Sequence, residues 1–210
     1  MAPGNITQAL YARGLPPGVK LVVTDVTFTV PGSDWWPGFQ GPHKSLYKNT
    51  SEADKQSMFP MEATSYVHNG YIGSAYLSSQ SLFDTGHGPE IYIKYSLSGS
   101  TTVNGQTVDL SHVTGQITVS TTDWSLVSRP DYCNVTYQVQ NQQVHNLSNA
   151  VQAGQSPKDV SFVFGVNPLE KQVGVNVAVD EDVTKDLIDY ALKGIFKAHE
   201  KAVGWVVGAI

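Results

Sequence analysis

Along most of the chain, apolar positions recur every second residue, the repeat of a strand with one buried face. Residues 20–30 (KLVVTDVTFTV) set Val23, Asp25, Thr27 and Thr29 against Thr24, Val26, Phe28 and Val30, and their β-branched content suits a pleated surface. Residues 90–97 (EIYIKYSL) alternate as cleanly. Segments 62–68 and 71–79 flank Asn69-Gly70, and segment 101–109 contains Asn104-Gly105. Asn-Gly tolerates the positive φ of a two-residue hairpin turn, so two tight hairpins are predicted. Strands are also predicted over 115–122 (extending to 127), 133–140, 160–166 and 172–179. Eight or nine strands with two tight hairpins make a mainly antiparallel system.

Other stretches carry helical or loop signals. Residues 5–13 predict a short helix, with Asn5 as cap and Gly14-Leu15-Pro16-Pro17-Gly18 as a firm stop. Pro31, Gly32, Pro37, Gly38, Gly41 and Pro42 make 31–47 a loop, one that holds Trp35, Trp36, Phe39 and Tyr47. Ser51-Glu52-Ala53-Asp54 has the form of a capping box and predicts a turn or two of helix, ended by Phe59-Pro60. A brief helix is expected over 146–153, closed by Gly154. In 180–210 the period changes. Val183, Leu187, Ile188, Ala191, Leu192, Ile195 and Phe196 stand three and four apart, behind an acidic start and ahead of Lys193, Lys197 and Lys201. A long amphipathic helix is predicted there.

The expected fold class is therefore α+β. It comprises a curved antiparallel sheet, or a two-layer sandwich, of eight to nine strands, with one long C-terminal amphipathic helix packed on it. A single domain is expected, with an N-terminal arm (1–19), a β region (20–179) containing the Trp-rich loop (31–47), and the terminal helix (180–210). In element order the chain is similar to the helix-grip folds of the START and Bet v 1 families and to tubular lipid-binding modules. That similarity implies an apolar ligand held between sheet and helix. No residue motif accompanies it, and no functional residue is carried over.

Composition narrows the function classes. Charged residues make up 15% of the 210, against roughly a quarter in ordinary domains. Thirteen basic and 18 acidic residues give a net charge of −5. Nucleic-acid binding needs a clustered basic face, and the only dense cluster is Lys185, Lys193, Lys197 and Lys201, so no nucleic-acid partner is expected. Cys133 is the only cysteine; an intrachain disulfide and a cysteine-based zinc site are excluded, and a small buried hydrophobe is the expected role. The six histidines show neither His-X-His nor His-Glu-X-X-His spacing, so no metal or other cofactor is assigned. The chain shows no basic leader with an apolar stretch behind it, and no apolar run long enough for a membrane span. A soluble protein is expected, cytoplasmic or exported without a cleavable leader.

Two features carry candidate chemistry. Leu82-Phe83-Asp84-Thr85-Gly86 resembles the Asp-Thr-Gly of aspartic proteases, in which two such loops bring two carboxylates to share a proton. One copy suffices only in a homodimeric enzyme, and His87 stands where that family usually has Ser or Ala, so an ordinary turn at Gly86-His87-Gly88-Pro89 is the simpler reading. The second feature is Trp35-Trp36-Pro37-Gly38-Phe39, whose rings can stack on sugars, sit at a membrane interface or plug a sheet core. The expected function is non-enzymatic binding of a lipid, another apolar ligand or a membrane surface, in a toxin-like component for example. The candidate contacts are Trp35, Trp36, Phe39, Lys193, Lys197, Lys201 and Trp205. A structural or protein-interaction module (virion, adhesin or complex subunit) that self-associates or binds a protein partner is the alternative, and the Asp84 protease the third reading.

Overall fold

The computed structural model describes residues 5–30, 35–66, 69–79, 85–124, 131–140, 145–151, 160–167 and 172–179. In chain order these form β1 (Asn5–Arg13), β2 (Lys20–Thr29), β3 (Trp35–Gln40), β4 (Ser45–Tyr47), α1 (Glu52–Gln56), β5 (Met61–Glu62), β6 (Thr64–Tyr66), β7 (Asn69–Ser79) and β8 (Thr85–Ser98). There follow β9 (Ser100–Val103), β10 (Gln106–Asp109), β11 (Thr114–Trp124), β12 (Asp131–Val139), β13 (His145–Val151), β14 (Val160–Asn167) and β15 (Gln172–Val179). Sheet A runs β15-β14-β1-β7-β3-β4, with β6 also on β7; sheet B runs β13-β12-β11-β8-β2-β5; β9 and β10 form a separate hairpin.

The α+β expectation is thus overturned: the described chain is nearly all β, and its only helix is the five-residue α1. The predicted helix over 180–210 lies outside the described residues, and among those described no long helix packs on either sheet. The similarity in element order to helix-grip and tubular lipid-binding folds falls with it. Sheet A is mixed, because β1 pairs β14 in parallel and β7 antiparallel. No helix among the described residues is long and apolar enough to cross a membrane.

Residues 5–13 are a strand, not a helix. Ile6, Gln8, Leu10 and Ala12 point into the core while Thr7, Ala9, Tyr11 and Arg13 alternate outward. Ile6 and Leu10 stand four apart, a spacing that satisfies a period of two as well as one of 3.6. The helix expected over 146–153 repeats the ambiguity with Leu147 and Val151; its described part, 146–151, is strand, in β13, and 152–153 lie outside the described residues. Sheet partners on both sides of β1 decide the matter.

In β2 the phase of alternation changes once. A bulge at Thr24 lets Leu21 and Val23 face the core on one side of it and Val26 on the other. The Asn104-Gly105 hairpin forms as expected: the two residues have φ of 51° and 77° and link Val103 to its partner Gln106. Asn69-Gly70 does not form the turn predicted for it. Tyr66 pairs with Asn69, and Gly70 is held in β7 by Ser65 on one side and Ala12 on the other. The capping box is borne out: Ser51 Oγ accepts from the Asp54 N–H at 3.1 Å and donates to its carboxylate at 2.6 Å. Lys55 of α1 then reaches Asp25 of β2 at 3.6 Å.

The core lies between the sheets. β14 supplies Val160, Phe162, Phe164 and Val166. Phe162 meets Tyr137 of β12 edge-on at 5.7 Å, and Phe164 meets Tyr95 of β8 likewise at 6.1 Å. Cys133 is fully buried, as a small hydrophobe would be, and loss of solvation pushes its thiol up to about 12. The same cause raises Tyr95 and Tyr137. These groups stay neutral in the folded chain while their unfolded counterparts ionise. The thiol's contribution is complete below about pH 9 and is lost as pH climbs toward 12, at up to about 1.4 kcal/mol per pH unit, and the two raised tyrosines act in the same direction. Urea midpoints are therefore expected to fall steeply above pH 9. At pH 8 a thiol-reactive disulfide reagent should label Cys133 only in denaturant; rapid labelling of the native protein would contradict this burial.

Candidate binding face

The supposed Trp-rich loop is largely strand. β3 pairs with β7 through Trp35↔Ser79, Trp36↔Ser78, Gly38↔Tyr76 and Phe39↔Ala75, so adjacent residues face opposite sides. Trp35 and Phe39 point inward and are 4% and 1% exposed, which makes them core plugs rather than contacts. Trp36 points outward and is 42% exposed. Of the seven candidate contacts, the structure keeps Trp36 on the surface, moves Trp35 and Phe39 into the core, and leaves Lys193, Lys197, Lys201 and Trp205 outside the described residues.

Trp36 has companions that sequence reasoning passed over. Gly38, two positions along the same face, stands opposite Tyr47 of β4 on one side and Tyr76 of β7 on the other. Tyr47 is 55% exposed and Tyr76 37%; with Trp36 they are the exposed large hydrophobic residues among those described. Gly38 matters here for its missing side chain. A Cβ at that position would sit 3.1 Å from Tyr47 Cδ1 and 3.4 Å from Cε1, so the tyrosine ring lies across the bare backbone. Its outer π face is left to solvent.

The face continues toward β1. Tyr71 and Tyr11 are partners across β7 and β1 with ring centroids 5.6 Å apart, and the Arg13 guanidinium lies 5.6 Å from the Tyr11 centroid. Arg13 Nε also donates to Ser161 Oγ at 2.9 Å. At the other end the Lys48 ammonium lies 5.2 Å from the Trp36 ring and donates to the Trp35 carbonyl at 3.3 Å. Between the rings stand small polar side chains: Thr7 opposite Tyr76, Ser78 opposite Trp36, and Ser45 and Ser74 opposite Gln40. Tyr71 Oη and Ser74 Oγ share a hydrogen bond of 2.6 Å.

The strands of sheet A contain no Asp or Glu, and Arg13 is their one charged residue. The described acidic residues lie in sheet B, α1 and the β9–β10 hairpin, so the described part of this face holds no carboxylate and carries Arg13 and Lys48 at its two ends. Alternation within WWPGFQ was the available signal that Trp35 and Trp36 face opposite ways. Nothing local to Tyr47 or Tyr76 announces that both border Gly38, because that requires two long-range strand pairings.

Among the described residues the remaining candidates form no site. Asp84 lies outside the described residues; Thr85 and Gly86 belong to β8, opposite Trp124 and Asp123 of β11. The turn expected at Gly86-His87-Gly88-Pro89 is instead continuous strand. His43 and His112 are exposed and far apart in sequence, and no group of three metal-ligating side chains occurs among the described residues. No protein-family model, curated protein or solved structure matches the chain.

Proposed function

We propose that this protein is a non-catalytic binding module whose ligand docks on the outer face of sheet A, over Trp36, Tyr47 and Tyr76. The observation that carries the reading is their grouping: the large rings exposed among the described residues share one face, around one glycine. Isolated surface aromatics are ordinary, but a cluster on a face with no carboxylate among the described residues is a feature of a contact surface. Together the rings expose on the order of 300 Å². Covering that area contributes at most about 7 kcal/mol. Immobilising a ligand costs a comparable amount, so one module binds weakly and gains from a ligand with repeated units.

The test is retention of the purified protein by surfaces and polymers of known chemistry: phosphatidylcholine vesicles with and without phosphatidylserine, hydroxyethyl cellulose, and xylan. Retention by at least one is expected, and a Trp36→Ala/Tyr47→Ala double variant should lose at least about tenfold of it while melting like the parent. Equal retention of the double variant, or no retention by any probe, overturns the reading.

A second reading, an assembly module, draws on a different observation. β15 (QVGVNVAV) carries no charge and no proline, and among the described residues it pairs only with β14. Such an edge is a template for strand addition. Growth of the sedimenting species with concentration would favour this reading; a constant monomer mass would count against it.

A further inference from the structure

Resting on the binding face proposed above, we infer that its ligand is a neutral glycan chain whose sugars carry equatorial hydroxyls. Such a pyranose presents its axial C–H bonds on two flat faces and its hydroxyls around the rim. The flat faces call for aromatic rings lying along the protein surface, and the rim calls for small hydrogen-bonding groups beside them. Both are here. Tyr47 lies across Gly38 with its outer face open, flanked by Trp36 and Tyr76. Thr7 and Ser45 occupy neighbouring outward positions, able to exchange water for sugar hydroxyls, and Ser74, bonded to Tyr71, and Ser78 keep the strip between the rings polar.

Charge selects against the other occupants. The strands of sheet A lack carboxylates and hold one arginine, while the chain as a whole carries −5. A neutral polymer needs no countercharge there, whereas an acidic polymer or an anionic leaflet meets the two cations at the ends of the face, Arg13 and Lys48, against the repulsion of the protein's net charge of −5. Geometry adds to this. Interfacial membrane binding sinks apolar groups roughly 5–10 Å below the headgroups, and a ring lying flat on a sheet has no such reach.

Native affinity electrophoresis through hydroxyethyl cellulose, xylan and polygalacturonate tests the inference, with vesicle flotation in parallel. The neutral glycans should retard the parent protein in a way that added salt barely alters. Trp36→Ala and Tyr47→Ala should each weaken retardation at least about tenfold. Gly38→Ala is the more specific variant. It removes no aromatic group but puts a methyl where Tyr47 Cδ1 lies 3.1 Å away, so it lifts the ring and weakens retardation with circular dichroism unchanged. Preference for polygalacturonate, abolition by salt, or a Gly38→Ala protein that binds like the parent overturns the glycan assignment. Ring-dependent flotation with vesicles but no glycan retardation overturns it too, while leaving the binding face intact. If no probe is held, or the ring variants behave like the parent, the face falls as well.

Discussion

Phe162→Ala is expected to destabilise the protein by about 3–5 kcal/mol, the cost of deleting a large buried ring in a site that cannot collapse around the gap. Phe162 is 1% exposed and stands midway along β14, the strand that joins the N-terminal β1 to β15. Its ring meets Tyr137 edge-on at 75°, and the Tyr137 hydroxyl donates to the Val175 carbonyl at 3.4 Å. One deletion therefore removes contacts that tie both sheets together at that side of the sandwich. Urea titration reads the effect as a lower midpoint at unchanged slope. Tyr47→Ala, on the surface, should shift the midpoint by under about 0.5 kcal/mol. A loss at Phe162 below about 1 kcal/mol would mean that the two sheets do not pack there.

Gly73→Ala should be nearly as severe, and it bears directly on the binding face. Gly73 has φ of +153° on the inner side of β7, one residue past the bulge at Ile72. A Cβ there would lie 2.3 Å from Phe39 Cζ and 2.9 Å from the Gln40 carbonyl oxygen. Phe39 is 1% exposed and has no open side to turn to. The strand must shift or the ring must leave its site, and backbone strain with overpacking together cost about 2–4 kcal/mol. The displaced element is β3, which carries Trp36 on its other side. Gly73→Ala is thus expected to lose both stability and ligand retention, whereas Gly38→Ala loses retention alone. Hydrogen exchange localises the damage: protection should fall in β3 and β7 before it falls in β11 and β12. Uniform loss of protection, or none, would refute the local account.

Much of the architecture is legible residue by residue. The alternation in 20–30, 90–97, 115–122 and 172–179 marks strands because successive side chains on a pleated backbone point to opposite faces. Asn104-Gly105 marks its own turn, since Asn and Gly tolerate the positive φ that type I′ geometry requires, and Ser51 with Asp54 marks the start of α1. Each of these signals is complete within a few residues. The misread segments share one property: two local structures fit them equally well. Ile6 and Leu10 in β1, and Leu147 and Val151 in β13, are four apart, a spacing common to the strand and helix repeats. Asn69-Gly70 is as good a turn as Asn104-Gly105, yet pairing with Ser65 and Ala12 draws Gly70 into β7.

The binding face was half visible. The Trp-rich segment stood out by composition, but the prolines and glycines that suggested a loop sit in or beside β3, where β4 and β7 flank it. What the sequence by itself determined is a chain of short alternating strands with the Asn104-Gly105 hairpin among its turn signals, one capped helical turn, a buried lone cysteine and a low-charge surface. These depend on side-chain period, turn chemistry and composition, all of which are local. Only the tertiary structure decided that β1 and β14 run parallel, that Trp35 is core while Trp36 is surface, and that Tyr47 and Tyr76 meet across Gly38. Those outcomes rest on which strands pair and in what register, a choice made by burying the whole chain's apolar surface at once, and no short segment records it.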